Sequence, residues 1–232
     1  MKSLLSAYLL LIVASSSLAQ VDSIANPVYK MYISAVGGAA NLYNGTEYTA
    51  IYPSTKGSAF LHAAGFQTGT ISYQGVLYKE VPIAYDLVSN EIVIKGFKGQ
   101  FTKLSAGKID SFMVDGRTFV RLKADENNKN RLPEDFYEIL FNGKVKVYVK
   151  RKKQVERAFS AEEPYRFASY NAYFVYKDGL YKQVTGRNGL IDVFRDKDNA
   201  IKDFVKDNKF DFRNGLEEAI VKTANYYSAL KE

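Results

Sequence analysis

Cysteine and tryptophan are both absent from the 232 residues, and there is a single histidine, His62. Without a thiol there is no disulfide staple, no lipid-modified cysteine anchor, no thiolate metal site and no cysteine nucleophile. A chain of this size buries roughly 70% of its unfolded surface and needs no staple to fold. With one histidine, a zinc site built on several histidines is excluded, and a Ser-His-Asp arrangement has only His62 to use. His62 stands in Phe60-Leu61-His62-Ala63-Ala64-Gly65, an apolar stretch beside a turn, where a hydrogen-bonded structural histidine is expected. Neither a Walker loop nor a Gly-x-Gly-x-x-Gly turn after a strand is present, so no nucleotide cofactor is indicated. No apolar run approaches the roughly twenty residues that a membrane-spanning helix needs.

The one sustained apolar run, Leu4 to Val13, follows Lys2 and precedes small residues ending in Ser17-Leu18-Ala19. A short basic start, an apolar centre and a Ser-x-Ala site are the parts of an export signal, so residues 1–19 are expected to be removed. The mature chain then begins at Gln20 and works in the periplasm or outside the cell. Small secreted eukaryotic domains usually carry disulfides, so an exported chain without cysteine points to a bacterial envelope. Of the formal charge of +7, Lys2 alone leaves with the signal. Export removes nucleic acid from the partners this charge suggests and leaves acidic glycan, an anionic envelope surface or another envelope protein. The acidic residues are interspersed with the basic ones, which ordinary solubility also requires. Tyrosine is abundant, at 18 residues, and suits half-buried strands and ligand-facing surfaces alike.

Residues 20–43, with Gly37-Gly38-Ala39-Ala40, read as a loosely ordered lead-in with one strand or short helix. From residue 44 to 188 the chain is punctuated by Asn44-Gly45, Asp115-Gly116, Asn142-Gly143 and Asp178-Gly179, dipeptides that supply the positive φ of tight hairpins. Between them lie short β-branched and aromatic runs. Lys144-Val145-Lys146-Val147-Tyr148-Val149-Lys150 alternates most cleanly, which predicts a strand with one buried and one wet face. No crossover helix separates these runs. The fold class expected is mainly β with some α: an antiparallel meander forming a sandwich or partly closed barrel. Tyr73 to Val81 and Tyr176 to Val184 echo one another, with the glycine displaced by one position, and read as two hairpins rather than a repeat.

After Gly189 the period changes to that of a helix. Ala200, Ile201, Phe204 and Val205 share one face, and a second helix is expected from Asn214 as N-cap, with Glu217 completing a capping box. Residues 189–232 therefore form a pair of short helices that need the sheet to cover their apolar faces, with Ile201, Phe204, Val205, Ile220 and Tyr227 buried.

Candidate chemistry is sparse. Ser105-Ala-Gly-Lys108 and Ser228-Ala-Leu-Lys231 match Ser-x-x-Lys but lack the companion Ser-Asp-Asn and Lys-Thr-Gly motifs. The acidic pairs Asp125-Glu126, Glu134-Asp135 and Glu162-Glu163 lie in polar loops, whereas a glycosidase needs two carboxylates at a fixed separation across a bond. Asp192, Asp196 and Asp198 lack the glycine and terminal glutamate of a calcium loop, and Asp196 is expected to cap the following helix. No metal site is indicated. The one concentrated charge, Lys150-Arg151-Lys152-Lys153, is a candidate anionic-surface contact or the wet end of a strand whose lysines deter edge pairing.

Three pieces carry a resemblance: Leu42-Tyr43-Asn44-Gly45-Thr46-Glu47-Tyr48, Gly69 to Tyr78 leading into Val81-Pro82-Ile83-Ala84-Tyr85-Asp86, and Asp203 to Phe212 with a closing Tyr226-Tyr227. Across residues 42–230 the chain resembles an uncharacterised family of exported proteins common in Bacteroidota. The resemblance implies an exported β-rich domain with terminal helices and brings no activity, so it assigns no site residue. Two function classes follow. The first is a non-catalytic exported binding or envelope-associated protein; the alternative is a carboxylate-dependent hydrolase acting on envelope or dietary glycan.

Overall fold

Short β-branched and aromatic runs, cut by turn residues at close intervals, leave the chain little choice but a meander. The computed structural model describes residues 42–50, 52, 54–96, 99–123, 132–158 and 162–230. The export signal at 1–19, the lead-in before residue 42 and the Asp125-Glu126 pair lie outside the described residues. The strands are β1 (Thr46–Glu47), β2 (Thr55–Lys56), β3 (Gln67–Tyr73), β4 (Val76–Asp86), β5 (Glu91–Lys95), β6 (Phe101–Lys103), β7 (Ile109–Val114), β8 (Arg117–Leu122), β9 (Asp135–Asn142), β10 (Lys146–Arg157), β11 (Tyr165–Lys177) and β12 (Leu180–Val184). The helices are α1 (Arg187–Val193), α2 (Asp198–Asp207) and α3 (Leu216–Ala229). The described residues belong to one compact unit, Ala40–Glu232.

The strands form one mainly antiparallel sheet in the order β1-β6-β5-β4-β3-β7-β8-β9-β10-β11-β12, with β2 added in parallel to β11. Two meanders meet where β7 pairs with β3 rather than with β6. The sheet is open yet strongly curled. The rings of Tyr85 on β4 and Phe136 on β9 lie 6.2 Å apart, although four strand spacings separate them, about 19 Å in a flat sheet. Beyond β4, the Lys153 N–H donates to the Leu87 carbonyl at 2.9 Å, joining β10 to the far side of the curl. β4 turns the corner: Glu80, at φ 56°, forms a bulge against β3, and the strand pairs β3 as far as Ile83 and β5 from Ile83 to Asp86. Inside the curl, Ile71, Tyr85, Ile94, Phe112, Phe119 and Phe136 are buried together.

The turn dipeptides divide into two kinds. Asp115-Gly116 and Asp178-Gly179 have positive φ at both positions and close two-residue hairpins, as expected. Neither residue of Asn142-Gly143 or Asn44-Gly45 has a positive φ: the first opens a three-residue loop into β10, and Gly45 lies so close to the Lys103 carbonyl that a Cβ would stand 2.3 Å from its oxygen. The echoed sequences are indeed two hairpins, of unlike register. Gln74-Gly75 turns directly after Tyr73, whereas Asp178-Gly179 turns one residue later, so Tyr176 and Tyr181 pair across the strands and Tyr73 and Tyr78 do not. The displaced glycine records that difference.

The C-terminal region holds three helices rather than two. α1 begins right after Gly186, and its Leu190 and Val193 join Val147, Val175 and Val184 of the sheet in a second core with Ile201, Val205 and Ile220. Phe204 and Tyr227 are only half-buried; Phe204 stacks on Tyr226 at 4.1 Å and Tyr227 lies against Phe194 at 4.7 Å. The expected cap at Asn214 is displaced by one residue: Gly215 is the N-cap, and Asn214 donates to Asp211 instead. Asp196 caps nothing; it accepts from the Tyr227 hydroxyl and pairs with Lys177. The second face of β10 is wet at Lys146, as expected, but not at the next position along it. Tyr148 is buried with Tyr137 and Leu132, beside Phe174 and Tyr181, because the sheet curls over that side too.

Candidate functional site

A short strap, described at residues 48–50, 52 and 54–60, is anchored at two charges, the buried Asp86 and the half-buried Lys153. The first is Asp86, at the end of β4. Its carboxylate accepts from the Tyr48 hydroxyl at 2.7 Å and the Tyr52 hydroxyl at 2.6 Å, and from the backbone N–H groups of Val88 and Ser89 at 2.8 and 3.1 Å. Burial pushes the carboxyl up, yet these four donors together hold it below the usual carboxylate range. Burial, with the hydrogen bonds to Asp86, raises both phenols well above their ordinary value, so both remain protonated donors. The second anchor is Lys153 on β10, whose ammonium donates to the carbonyls of Ser58 and Phe60 at 2.8 and 2.6 Å. Burial lowers its pKa, and the neighbouring Asp86 carboxylate opposes that fall.

Between the strap and β11 lies a cavity of about 250 Å³. Its walls are the rings of Tyr48, Tyr52, Phe60 and Phe167, with Ala50, Thr55 and Ser58 between them, and no charged side chain lines it among the described residues. Tyr52 and Phe167 meet edge to face, 5.4 Å apart at 88°, and Tyr48 and Phe60 are 6.1 Å apart. Parallel pairing of Thr55-Lys56 with Tyr165-Arg166 closes the strap onto β11, and Gly57 follows at φ 99°, where a side chain would strain the backbone. The site is assembled by long-range contacts. Among the described residues of 46–52 only Thr46–Glu47 pair in the sheet, and residues 48–50 and 52 belong to the strap.

The basic run is dispersed rather than presented as a patch. Lys150 reaches Asp135 at 2.5 Å and Asn90 at 3.0 Å. Arg151, buried, is bonded to Glu138 at 2.7 Å and to both oxygens of Glu217 at 2.7 and 3.0 Å. Burial works against its charge, but these two carboxylates hold its pKa above the ordinary value. Lys153 holds the strap, which leaves Lys152 as the exposed member of the four. β10 pairs β11 along the whole run but pairs β9 only as far as Val149, so the run lies where one side of β10 has left its neighbouring strand, and there the Lys153 N–H donates to the Leu87 carbonyl.

The other candidates take structural places. His62 sits in a turn, its Nδ1 accepting from the Ala64 N–H at 3.3 Å and from the Gln67 amide at 3.2 Å. Of the acidic pairs, Glu134 meets Arg121, Asp135 meets Lys150, and Glu163 meets Lys56. Asp192 pairs with Arg195 and Asp198 with Lys202. Ser228 donates to the Ala224 carbonyl within α3, and Ser105 stands before a short 3-10 turn, Ala106–Lys108, that leads into β7. No cluster of three or more possible metal ligands occurs among the described residues. No helix among them is long and apolar enough to cross a membrane. No protein-family model matches the chain, and neither a curated protein nor a solved structure does.

Proposed function

We propose that this chain is an exported, non-catalytic binding protein of the envelope, and that the aromatic cavity under the strap is where it binds. The observation that carries the reading is a cavity walled by four aromatic rings, beside a strap that two charges hold in place. Asp86 is occupied by four donors, and Lys153 gives two of its three protons to strap carbonyls, so both serve to position the strap. Ring faces without a free charge supply contact area and shape, which is what binding needs. The export signal read in residues 1–19 and the resemblance to exported Bacteroidota proteins support the envelope as the place. The acidic-glycan and anionic-surface partners that the basic run suggested receive less support, since Lys150, Arg151 and Lys153 are engaged internally.

Two measurements on the chain expressed in a bacterium test this. Intact mass of the protein from the periplasmic or extracellular fraction is expected to begin at Gln20. Calorimetric titration of that protein with the surface polysaccharide fraction of the same cells is expected to give saturable heat. Ala50→Trp, which adds bulk at the exposed mouth of the cavity, is expected to remove it. A retained Met1 would end the export reading. Steady turnover of the polysaccharide that is lost in Asp86→Asn would replace the binding protein with the hydrolase.

A further inference from the structure

We infer that the cavity takes one uncharged sugar ring, bound by stacking rather than by charge. This rests on the binding reading above and names the ligand class for the same cavity. Size comes first. At about 250 Å³ the cavity is smaller than the roughly 300–1,000 Å³ of sites that enclose drug-sized ligands, so it encloses one ring, whether free or as a unit of a longer chain.

The chemistry of the walls narrows the class. Tyr48 and Tyr52 both donate their hydroxyl protons to the same oxygen of Asp86, so their phenol oxygens can act further only as acceptors. The Ser58 hydroxyl already accepts the Phe60 N–H at 3.2 Å and still has a proton to give. The Phe60 and Phe167 rings offer only their faces and edges. A cation would give up its hydration for aromatic faces alone, because the Asp86 carboxylate is taken by four donors and offset by the neighbouring Lys153. An anion would meet acceptor oxygens and the Asp86 carboxylate behind them. A neutral ring with apolar C–H faces and hydroxyl groups around its rim meets neither penalty, and a pyranose is that ring.

The protein carries no tryptophan, so the site is built from tyrosine and phenylalanine alone. Stacking is short-ranged, and the binding it gives is insensitive to salt.

Saturation-transfer NMR on the mature chain with methyl glycosides of glucose, galactose, mannose and N-acetylglucosamine tests the assignment, with phenol and tetramethylammonium as rival probes. The expected result is transfer to the ring protons of at least one glycoside, unchanged at 0.5 M sodium chloride. Phe167→Ala should weaken that binding at least tenfold, and Ala50→Trp should remove it. Phe167→Ala removes contact area and Ala50→Trp fills the mouth from an exposed position, so the two act by opposite means; both are checked by circular dichroism. Transfer to phenol or tetramethylammonium and to no glycoside, abolished by Ala50→Trp, would overturn the sugar assignment and leave the cavity standing as a binding site. Glycoside signals that survive Ala50→Trp, or an absence of transfer to every probe, would overturn the cavity itself.

Discussion

Asp86 shows how one residue can hold a strap of chain in place from inside the fold. It is fully buried, and its four hydrogen bonds offset the cost of placing a carboxylate there. Because those donors hold its pKa below the ordinary 3.8, the bonds contribute stability above about pH 4, and that contribution is lost as pH falls through the folded value. Asp86→Asn removes the charge and turns one accepting oxygen into a donor that faces other donors, so it is expected to cost about 1–3 kcal/mol at pH 7. Urea unfolding at pH 7 and pH 3 should therefore show a smaller difference between the two pH values for the variant than for the parent chain. An unaltered midpoint at pH 7 would mean that the strap is not held by Asp86. Neighbouring sequence offered no sign of this role: Asp86 pairs with tyrosines 34 and 38 residues away, and only the two N–H groups that follow it are local.

At the scale of elements, the ion cluster around Arg151 joins α3 to the sheet. Glu138 on β9 and Glu217 in the first turn of α3 both bind the guanidinium, the Tyr173 hydroxyl donates to Glu217 at 3.1 Å, and Arg117 stands 3.7 Å from Glu138. Glu217 had been expected to close a capping box; its carboxylate reaches across to the sheet instead, because the helix starts two residues after Asn214 and not directly upon it. Replacing Arg151 with Met strands the buried Glu138 carboxylate and is expected to cost about 3–5 kcal/mol. The double variant Arg151→Met, Glu138→Leu should recover much of that loss. A double-mutant cycle by chemical denaturation checks it, and a coupling near zero would contradict the bridging role. Among the elements, β5 and β9 were legible as short β-branched and aromatic runs, β10 by its alternating valines, and α2 by Ile201 and Val205 one turn apart. The helix α1 was not: its seven residues begin at a glycine without a side-chain cap, and its apolar residues find their partners only on β10, β11 and β12.

For the whole molecule, the mainly β class and the terminal helices followed from turn spacing and the change of period after Gly189, whereas the curl did not. Curling depends on the bulge at Glu80 and on large aromatic rings meeting across several strands, and neither leaves a periodic trace. The same reason hid the site. Tyr48, Tyr52, Phe60 and Phe167 are brought together by a strap that read as ordinary strand and loop, while the most visible cluster in the sequence, Lys150 to Lys153, is largely spent inside the fold. The proposed recognition therefore runs through the aromatic cavity and not through the basic run. Affinity of the mature chain for a neutral oligosaccharide, measured at about 0.01 M and about 0.15 M salt, tests it most directly, since the Debye length falls from roughly 30 Å to about 8 Å over that range. The account predicts nearly equal affinity at both salts, a loss in Phe167→Ala and no change in Lys152→Ser. Binding that collapses with salt, follows Lys152 and ignores Phe167 would contradict it.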